Sequence, residues 1–282
     1  MATLKNTTIN DTGFISLPSG TTDQRPVSPL IGMLRYNTTI GKLECYINDE
    51  WGSFITVAAL PVTSGLVGWY NANDWNGSVW VDSSGNGNTA ITSRGTITKA
   101  TSDYTSLGAA ATFTSLSGTT SAGIQFPSQI LPATFTLLHI TRYNFAIGVT
   151  GGNEVGRGRI LDGVTSNWLD GFWSGGSGKS YHDGWITPTD IDYHGNYWVA
   201  SSSQNSRYRS KSKNANNGNW YNFTGGGGTS KQLSVNYGNY TPSGSGGESS
   251  NWMIAEVIVY NRTLSDVELT SMETYLTTKY GI

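Results

Sequence analysis

The chain has 282 residues, of which only 13% are charged, and its formal net charge is −2. A balance this close to neutral gives no overall attraction to nucleic acid or to an anionic membrane. No apolar run approaches the roughly 20 residues that a membrane-spanning helix needs. Gly, Ser, Thr and Asn are abundant, and 10 Trp and 15 Tyr supply much of the large side-chain volume. The composition is typical of an all-β protein, and it predicts neither a nucleic-acid partner nor membrane insertion.

Residues 1–60 differ from the remainder of the chain. Gly32–Tyr36 and Lys42–Ile47 are short β-type runs, and the turn residues Thr38–Gly41 between them favour a hairpin. A segment of about 60 residues with so few large apolar side chains struggles to bury a core alone. We therefore expect it to be stabilised by the rest of the chain, by a larger partner protein or by copies of itself.

Four stretches of this segment carry a recognisable spacing: Gly20–Pro26, Gly32–Thr39, Gly41–Tyr46 and Glu50–Trp51. The pattern resembles a segment that recurs in fibre and other structural proteins of tailed bacteriophages. The resemblance implies a homotrimer attached to other virion proteins. The residues to which it gives assembly and attachment roles are Arg25, Pro26, Arg35, Tyr36, Asn37 and Trp51. Cys45 departs mildly from the family pattern, and we interpret it as a half-buried small hydrophobe rather than a reactive thiol.

The C-terminal stretch carries the clearest structural signal. Trp252–Tyr260 is apolar and β-branched, which predicts a buried strand. Strict alternation places one set of its residues on a shared face: Trp252, Ile254, Glu256, Ile258 and Tyr260. Ser265–Glu268 forms a capping-box pattern, so a helix is expected at roughly 266–279. Leu269, Met272 and Leu276 form the apolar stripe of this helix, and Gly281 is expected to end it.

This strand and capped helix together resemble the C-terminus of concanavalin A-like, laminin-G-type jelly-roll domains. Ile254–Glu268 and Lys279–Ile282 carry the resemblance, and Gly65–Tyr70 begins its N-terminal part. It implies that residues 61–282 form a jelly-roll β-sandwich with a short C-terminal helix. The predicted fold class is therefore all-β, with a small N-terminal oligomerisation segment. Fold alone does not decide function.

A loop-rich stretch between Arg157 and Trp198 contains the candidate ligand site. Aromatic faces stack on the C–H surfaces of sugars, and polar side chains bind hydroxyl groups. The candidate glycan-binding residues are Trp168, Trp173, His182, Asp183 and Trp185. The competing interpretation is that these aromatic residues belong to the core, and for any single tryptophan that interpretation is favoured.

Asp82–Asn88 is dense in oxygen atoms, which raises the question of a calcium site. Asp82 is its only carboxylate, however, and calcium sites usually assemble more. We favour a structural turn over calcium, and no other metal or cofactor is predicted.

The sequence lacks the residue patterns that known enzyme classes require. Retaining glycoside hydrolysis needs two carboxylates about 5 Å apart. Jelly-roll glycosidases carry a Glu-X-Asp-X-X-Glu pattern, and the nearest stretch, Asp190–His194, lacks both glutamates. No Ser/His/Asp motif, phosphate loop or zinc spacing is present. The sequence therefore predicts a protein that is not an enzyme, with an unusual glycosidase as the alternative.

A basic strand is predicted where four cations alternate with other residues: Arg207, Arg209, Lys211 and Lys213. The favoured interpretation is an edge strand whose charges prevent aggregation. The alternative is contact with an anionic surface polysaccharide.

Cys45 is the only cysteine, so the chain forms no internal disulfide, and the residues after Met1 lack the features of a secretory signal. With the phage resemblance, this predicts a virion protein made in a host cytoplasm. The expected function is display of a lectin-like domain for adhesion to host-surface polysaccharide. The alternative is a purely structural decoration or collar protein that binds no ligand.

The trimer expectation has a direct test. Residues 61–282 expressed alone should sediment as a monomer, and the full chain as a trimer, because the N-terminal segment supplies the contacts between chains. If both proteins sediment as monomers, the N-terminal segment has no role in oligomerisation.

Overall fold

A computed structural model of the protein describes residues 16–47, 49–53, 60–103, 112–145, 156–192, 194–213, 216–223, 225–226, 228–238 and 247–282. The chain divides into two compact units, Met1–Ala59 and Leu60–Ile282. The first 15 residues of the predicted N-terminal segment lie outside the described residues.

The first unit contains a four-stranded sheet in the order β1–β2–β3–β4. The strands are Ser19–Gly20, Leu34–Asn37, Lys42–Ile47 and Glu50–Ser53. β1 is parallel to β2, and the other neighbours are antiparallel. The hairpin predicted between β2 and β3 is confirmed, and Gly41 ends its turn at φ +65°, a left-handed conformation that glycine adopts without strain.

Glu44 on β3 is the buried centre of this small sheet. Its carboxylate accepts hydrogen bonds from Arg25 Nε at 3.2 Å, Arg25 Nη2 at 2.6 Å and Asn37 Nδ2 at 3.0 Å, and Arg35 Nε lies 3.5 Å away. The hydrogen bonds from Arg25 lower the pKa of the Glu44 carboxyl. Both guanidinium groups also lie within 6 Å of the Trp51 ring centre, at 5.8 and 5.9 Å. A charged cluster therefore holds one face of this sheet together.

The second unit is a β-sandwich of two sheets, which confirms the prediction of an all-β chain with a short C-terminal helix. Its strands, β5 to β19, are Leu66–Asn71, Val79–Trp80, Ala90–Arg94, Thr98–Asp103, Thr112–Gly118, Gly123–Gln125, Thr136–Tyr143, Leu161–Gly163, Trp168–Trp173, Gly176–His182, Val199–Gln204, Arg207–Lys211, Asn216–Tyr221, Leu233–Val235 and Trp252–Tyr260. The seven-stranded sheet has the order β14–β13–β12–β18–β10–β7–β6. The eight-stranded sheet has the order β17–β16–β15–β11–β19–β9–β8, with β5 also paired to β19.

β19 lies at the centre of the eight-stranded sheet and pairs with β5, β9 and β11. The predicted strict alternation along β19 is wrong, because Ala255 is an extra residue: Thr141 pairs with Ile254 and Ile140 with Glu256. Such a bulge reverses the faces of the residues that follow it. The core between the sheets consequently receives Trp252, Ile254, Val257 and Val259, whereas Ala255, Ile258 and Tyr260 pack in a second cluster with the C-terminal helix.

The helix α1 spans Asp266–Tyr280 and confirms the sequence prediction closely. The Ser265 hydroxyl accepts from Glu268 N, and Ser265 N donates to Glu268 Oε2 at 2.9 Å, which completes the capping box. Gly281 ends the helix at φ +65°. The predicted apolar stripe is buried: Leu269, Met272 and Leu276. Among the described residues, no helix combines the length and apolar character needed to cross a bilayer.

Glu256 joins this helix to the sheet. The fully buried carboxylate accepts from Trp69 Nε1 at 2.5 Å, Tyr280 OH at 2.6 Å, Lys279 Nζ at 2.8 Å and Tyr275 OH at 3.3 Å. A buried carboxylate is tolerated only when donors replace its water shell. The four donors do so, and three of them come from the last two turns of α1.

Replacing Glu256 with Ala should lower the free energy of unfolding by about 2–4 kcal/mol, because the Trp69, Lys279 and Tyr280 donors lose their acceptor while buried or half-buried. Urea unfolding followed by circular dichroism measures the change. Asp266→Ala is the control, since Asp266 forms an exposed pair with Arg207 that contributes about 0–1 kcal/mol. Equal losses in the two variants would contradict the role given to Glu256.

Candidate functional site

Two of the predicted ligand-binding residues lie inside the sandwich. Trp168 is 1% exposed and His182 is 0% exposed, and their rings stack with an interplanar angle of 6° and centroids 4.8 Å apart. Side chains without exposed surface do not contact a ligand at the surface. The prediction is corrected for these two residues, which belong to the core.

The same core contains a polar network around Asp170 on β13. Its carboxylate oxygens lie 2.8 Å from the Nε2 atoms of both His139 and His182, and Ser203 Oγ donates at 2.5 Å. His139 and Ser203 belong to the eight-stranded sheet, so the network joins the two sheets. Burial acts to raise the pKa of Asp170, but the two histidines outweigh it and hold that pKa below its usual value. His139 is thus a satisfied histidine of the sheet, as predicted.

Trp173, Tyr181 and Trp185 form an aromatic cluster, here called the aromatic patch. The Trp173 and Trp185 ring centres are 5.0 Å apart, and those of Tyr181 and Trp185 are 5.3 Å apart. All three side chains are half-buried, so part of each ring faces solvent. Their neighbours Phe172 and His182 point into the core, and strand alternation therefore directs Trp173 and Tyr181 to the outer face of the seven-stranded sheet.

Charged and polar groups border the aromatic patch. Trp173 Nε1 donates to Glu248 Oε1 at 3.0 Å, and Arg159 Nε donates to Glu248 Oε2 at 2.5 Å. Lys179 Nζ lies 5.4 Å from the Trp173 ring centre, and burial lowers the pKa of this lysine despite the opposing influence of Asp192 and Asp190. Arg159 and Lys179 are themselves buried, at 4% and 5% exposure, so the half-buried Glu248 is the charged group among these three that reaches the surface of the patch.

The loop that carries Trp185 is fixed by the backbone around it. Ile186 N donates to Ser180 O at 3.0 Å, and Gly225 N donates to Trp185 O at 3.1 Å. Gly225 approaches so closely that an added Cβ would lie 2.2 Å from Gly184 O, so no other residue fits there without a shift. The arrangement of the rings is thus built into the fold.

The predicted residue Asp183 lies in the turn between Tyr181 and Trp185, but its carboxylate is already paired with a lysine. It adopts φ +56°, and Lys231 Nζ lies 2.9 Å from its Oδ2. Of the five predicted glycan-binding residues, the structure therefore brings three to one surface region: Trp173, Asp183 and Trp185. Sequence reasoning missed Arg159, Lys179, Tyr181 and Glu248. Lys179 and Tyr181 could have been found by pairing the neighbouring strands β13 and β14 as a hairpin. Nothing in the sequence indicated that Glu248 approaches Trp173.

Asp82 organises the turn that follows β6. Its Oδ1 accepts from Trp69 N at 3.0 Å and Ser84 N at 2.9 Å, and its Oδ2 accepts from Ser84 Oγ at 2.8 Å and Asn88 N at 2.9 Å. Both oxygens of the Asp82 carboxylate therefore accept hydrogen bonds from protein groups, which stabilise the turn. Among the described residues there is no group of three or more His, Cys, Asp or Glu side chains arranged to hold a metal ion.

The basic strand β16 is not the edge strand that we expected, because β17 pairs with its outer side. Arg207 Nη2 lies 2.8 Å from Asp266 Oδ1, and Arg209 Nη2 lies 2.7 Å from Glu273 Oε2, so both arginines bind carboxylates of α1. Both guanidinium groups also stack on Trp220, at 4.0 and 4.3 Å from its ring centre. These two cations attach the helix to the sheet.

The residues predicted for assembly divide into two groups. Arg25, Arg35, Asn37 and Trp51 form the Glu44 cluster, and Arg35 and Asn37 are buried within it. The assembly role is corrected for Arg35 and Asn37, whose buried side chains hold the first unit together, and it stays a prediction for the half-buried Arg25 and Trp51. Pro26 and Tyr36 are exposed.

No family model matches the chain, and no curated protein matches it significantly. Among solved structures, domain 4 of AbnA, an extracellular arabinanase from Geobacillus stearothermophilus solved with arabinotriose, matches with a TM-score of 0.46 and 15% identity, over 74% of this chain and 98% of that one. The Trypanosoma rangeli sialidase matches with a TM-score of 0.42 and 17% identity, over 87% of this chain and 44% of that one. The chain thus spans less than half the length of the sialidase.

The prediction that the chain is not an enzyme is contradicted by these matches, because the structures are those of an arabinanase domain and of sialidases. We withdraw the exclusion. At identities of 15–17% and TM-scores below 0.5, the matches transfer no activity, substrate or catalytic residue to this chain.

The buried His194 makes the stability of the second unit depend on pH. Its two ring nitrogens each lie 2.8 Å from a serine hydroxyl, those of Ser210 and Ser212, and burial lowers its pKa to about 4. Between pH 6.5 and about 4, the unfolded chain binds a proton at this histidine that the folded chain does not. The free energy of unfolding therefore decreases by up to about 3 kcal/mol as the pH is lowered through this range. Below pH 4, protonation of Asp170 in the unfolded chain adds a further loss, because its folded pKa is lowered.

Urea unfolding of the wild type and of His194→Gln at pH 7, 5.5 and 4.5 measures this dependence. His194→Gln should flatten the decline between pH 6.5 and 4.5. Asp190→Asn, which removes an exposed carboxylate, should leave it unchanged. An equally steep decline in His194→Gln would show that another group is responsible.

Proposed function

We propose that the aromatic patch is a carbohydrate-binding surface. The observation that carries the proposal is the cluster of three half-exposed rings, Trp173, Tyr181 and Trp185, bordered by the half-exposed carboxylate of Glu248. Sugar rings combine an apolar C–H face with hydroxyl groups around the edge. Flat aromatic surfaces match the first, and charged or polar groups beside them match the second.

The rigidity of the patch supports the same proposal. The Trp185 loop is held by backbone hydrogen bonds to Ser180 and Gly225, so the rings need no large rearrangement to bind. A preformed site avoids the entropy cost of ordering its side chains. Trp80, Trp168, Trp198 and Trp252 are fully buried, whereas Trp173 and Trp185 are only half-buried and belong to neither hydrophobic core cluster.

We further propose that the chain is a structural protein of a tailed-phage particle and assembles as a homotrimer. The spacing of the segments between Gly20 and Trp51 supports both statements. In this assignment the first unit attaches the chain to other virion proteins, and the second unit binds polysaccharide on the host surface.

Glycan-array binding by the full chain tests the carbohydrate proposal. Trp173→Ala and Trp185→Ala should each weaken binding about tenfold or more, because each removes one ring of the stacking surface. Trp220→Ala is the matched control: this ring lies between Arg207 and Arg209 on the other sheet, and its loss should leave binding unchanged.

Three outcomes of this experiment are informative. Equal binding by all variants would remove the aromatic patch from the proposal. No binding by well-folded wild type would favour the purely structural alternative. Incubation with a bound polysaccharide should also be analysed for released oligosaccharide, which distinguishes cleavage from binding.

A further inference from the structure

The first unit has the reverse of the usual distribution of side chains. Its buried residues in the described part are charged or polar, namely Arg35, Asn37 and Glu44, and none of the buried hydrophobic residues precedes Leu60. Eight of the twelve exposed large hydrophobic residues of the described part lie between Val27 and Ile47. A unit of this size whose described residues form no apolar core gains stability from a partner that covers its exposed apolar side chains.

The strand register explains this distribution. Leu34 is paired with Cys45, and Tyr36 with Leu43, whereas Arg35 is paired with Glu44. Alternation places Arg35 and Glu44 on the charged face and the other two pairs on the opposite face. Ile47 continues the opposite face along β3, and Gly52 on β4 lies beside Cys45. We call this the apolar face: Leu34, Tyr36, Leu43, Cys45, Ile47 and Gly52.

The large side chains of the apolar face are exposed to solvent. Leu34, Tyr36, Leu43 and Ile47 are 41–48% exposed, and a Cβ added to Gly52 would meet no atom within 4 Å. Contiguous apolar surface of this kind marks a protein interface. Its charge pattern restricts the partner: the only charged residue of β2–β4 on this side is Glu50, at the margin opposite Ile47.

We propose that the apolar face is where copies of this chain associate. Because its centre carries no charge, packing it against itself buries no like charges and leaves no ion unpaired. Glu50 stays at the rim, where water solvates it. The charged face is occupied by the Glu44 cluster, whose buried residues are Arg35, Asn37 and Glu44. This inference rests on the proposed self-association and adds its location. It is independent of the carbohydrate proposal.

Cys45 provides a probe of this arrangement. β3 is the middle strand of β2–β4, and Cys45 lies near its middle, so its sulfur lies near the centre of the apolar face. Copies that turn this face toward a common axis bring their Cys45 sulfur atoms close to that axis and within reach of a bifunctional maleimide. Since Cys45 is the only cysteine, each bismaleimide joins at most two chains, and a covalent dimer reports this face alone.

The experiment measures the mass of the full chain by sedimentation velocity and its cross-linking by bismaleimide. The wild type should sediment as an oligomer and form Cys45-linked covalent dimers. Leu43→Glu should shift the mass to that of a single chain and abolish cross-linking, and the milder Leu43→Gln should raise the dissociation constant at least tenfold. Val267→Glu, which places the same charge on a 79% exposed helix position of the second unit, should behave as the wild type.

The outcomes separate this inference from the proposed function. A wild-type monomer without cross-links would overturn both the self-association and its location, and would favour another virion protein as the occupant. An oligomer that persists in both Leu43 variants would overturn the location alone. If Leu43→Glu disrupts the first unit, the mass of Leu43→Gln and the cross-linking of the wild type still test whether copies associate through the apolar face. Glycan binding per chain should be the same in all variants, because the aromatic patch lies in the other unit.

Discussion

Buried carboxylates that must be matched by hydrogen-bond donors are the constraint on which this structure depends. Glu44, Asp170 and Glu256 are all fully buried, and each is surrounded by donors from segments that are distant in sequence. Because an unpaired buried carboxylate costs several kcal/mol, each group tolerates only the arrangement that supplies its donors. Glu44 fixes the first unit, Asp170 joins the two sheets, and Glu256 attaches α1.

The Asp170 network also determines where the candidate site lies. With Asp170 and His182 directed inward, the neighbouring positions on β13 and β14 face outward, which exposes Trp173 and Tyr181. The loop after β14 then returns along the same strand and brings Trp185 against both rings. The interior polar network and the surface aromatic patch are thus two faces of one hairpin.

The two units solve the problem of stability differently. The second unit buries a large aromatic and aliphatic core between its sheets and a smaller one beneath α1. Among the described residues of the first unit, the buried side chains are charged or polar and the large apolar ones are exposed, so these residues form no hydrophobic core of their own. This contrast gives the units separate roles in the proposed function, one in assembly and one in recognition.

The sequence by itself determined the all-β class, the β2–β3 hairpin, the strand Trp252–Tyr260 and the capped helix, because turn residues, period-two patterns and capping boxes act locally. Only the tertiary structure decided which aromatic residues are exposed. Trp168 and Trp173 are five residues apart on one strand, so alternation places them on opposite faces. Only the packing of the two sheets decides which face is inward: Trp168 stacks on the buried His182, and Trp173 lies on the outer face. The bulge at Ala255 and the approach of Glu248 to Trp173 likewise depend on pairing between distant segments, which no local pattern encodes.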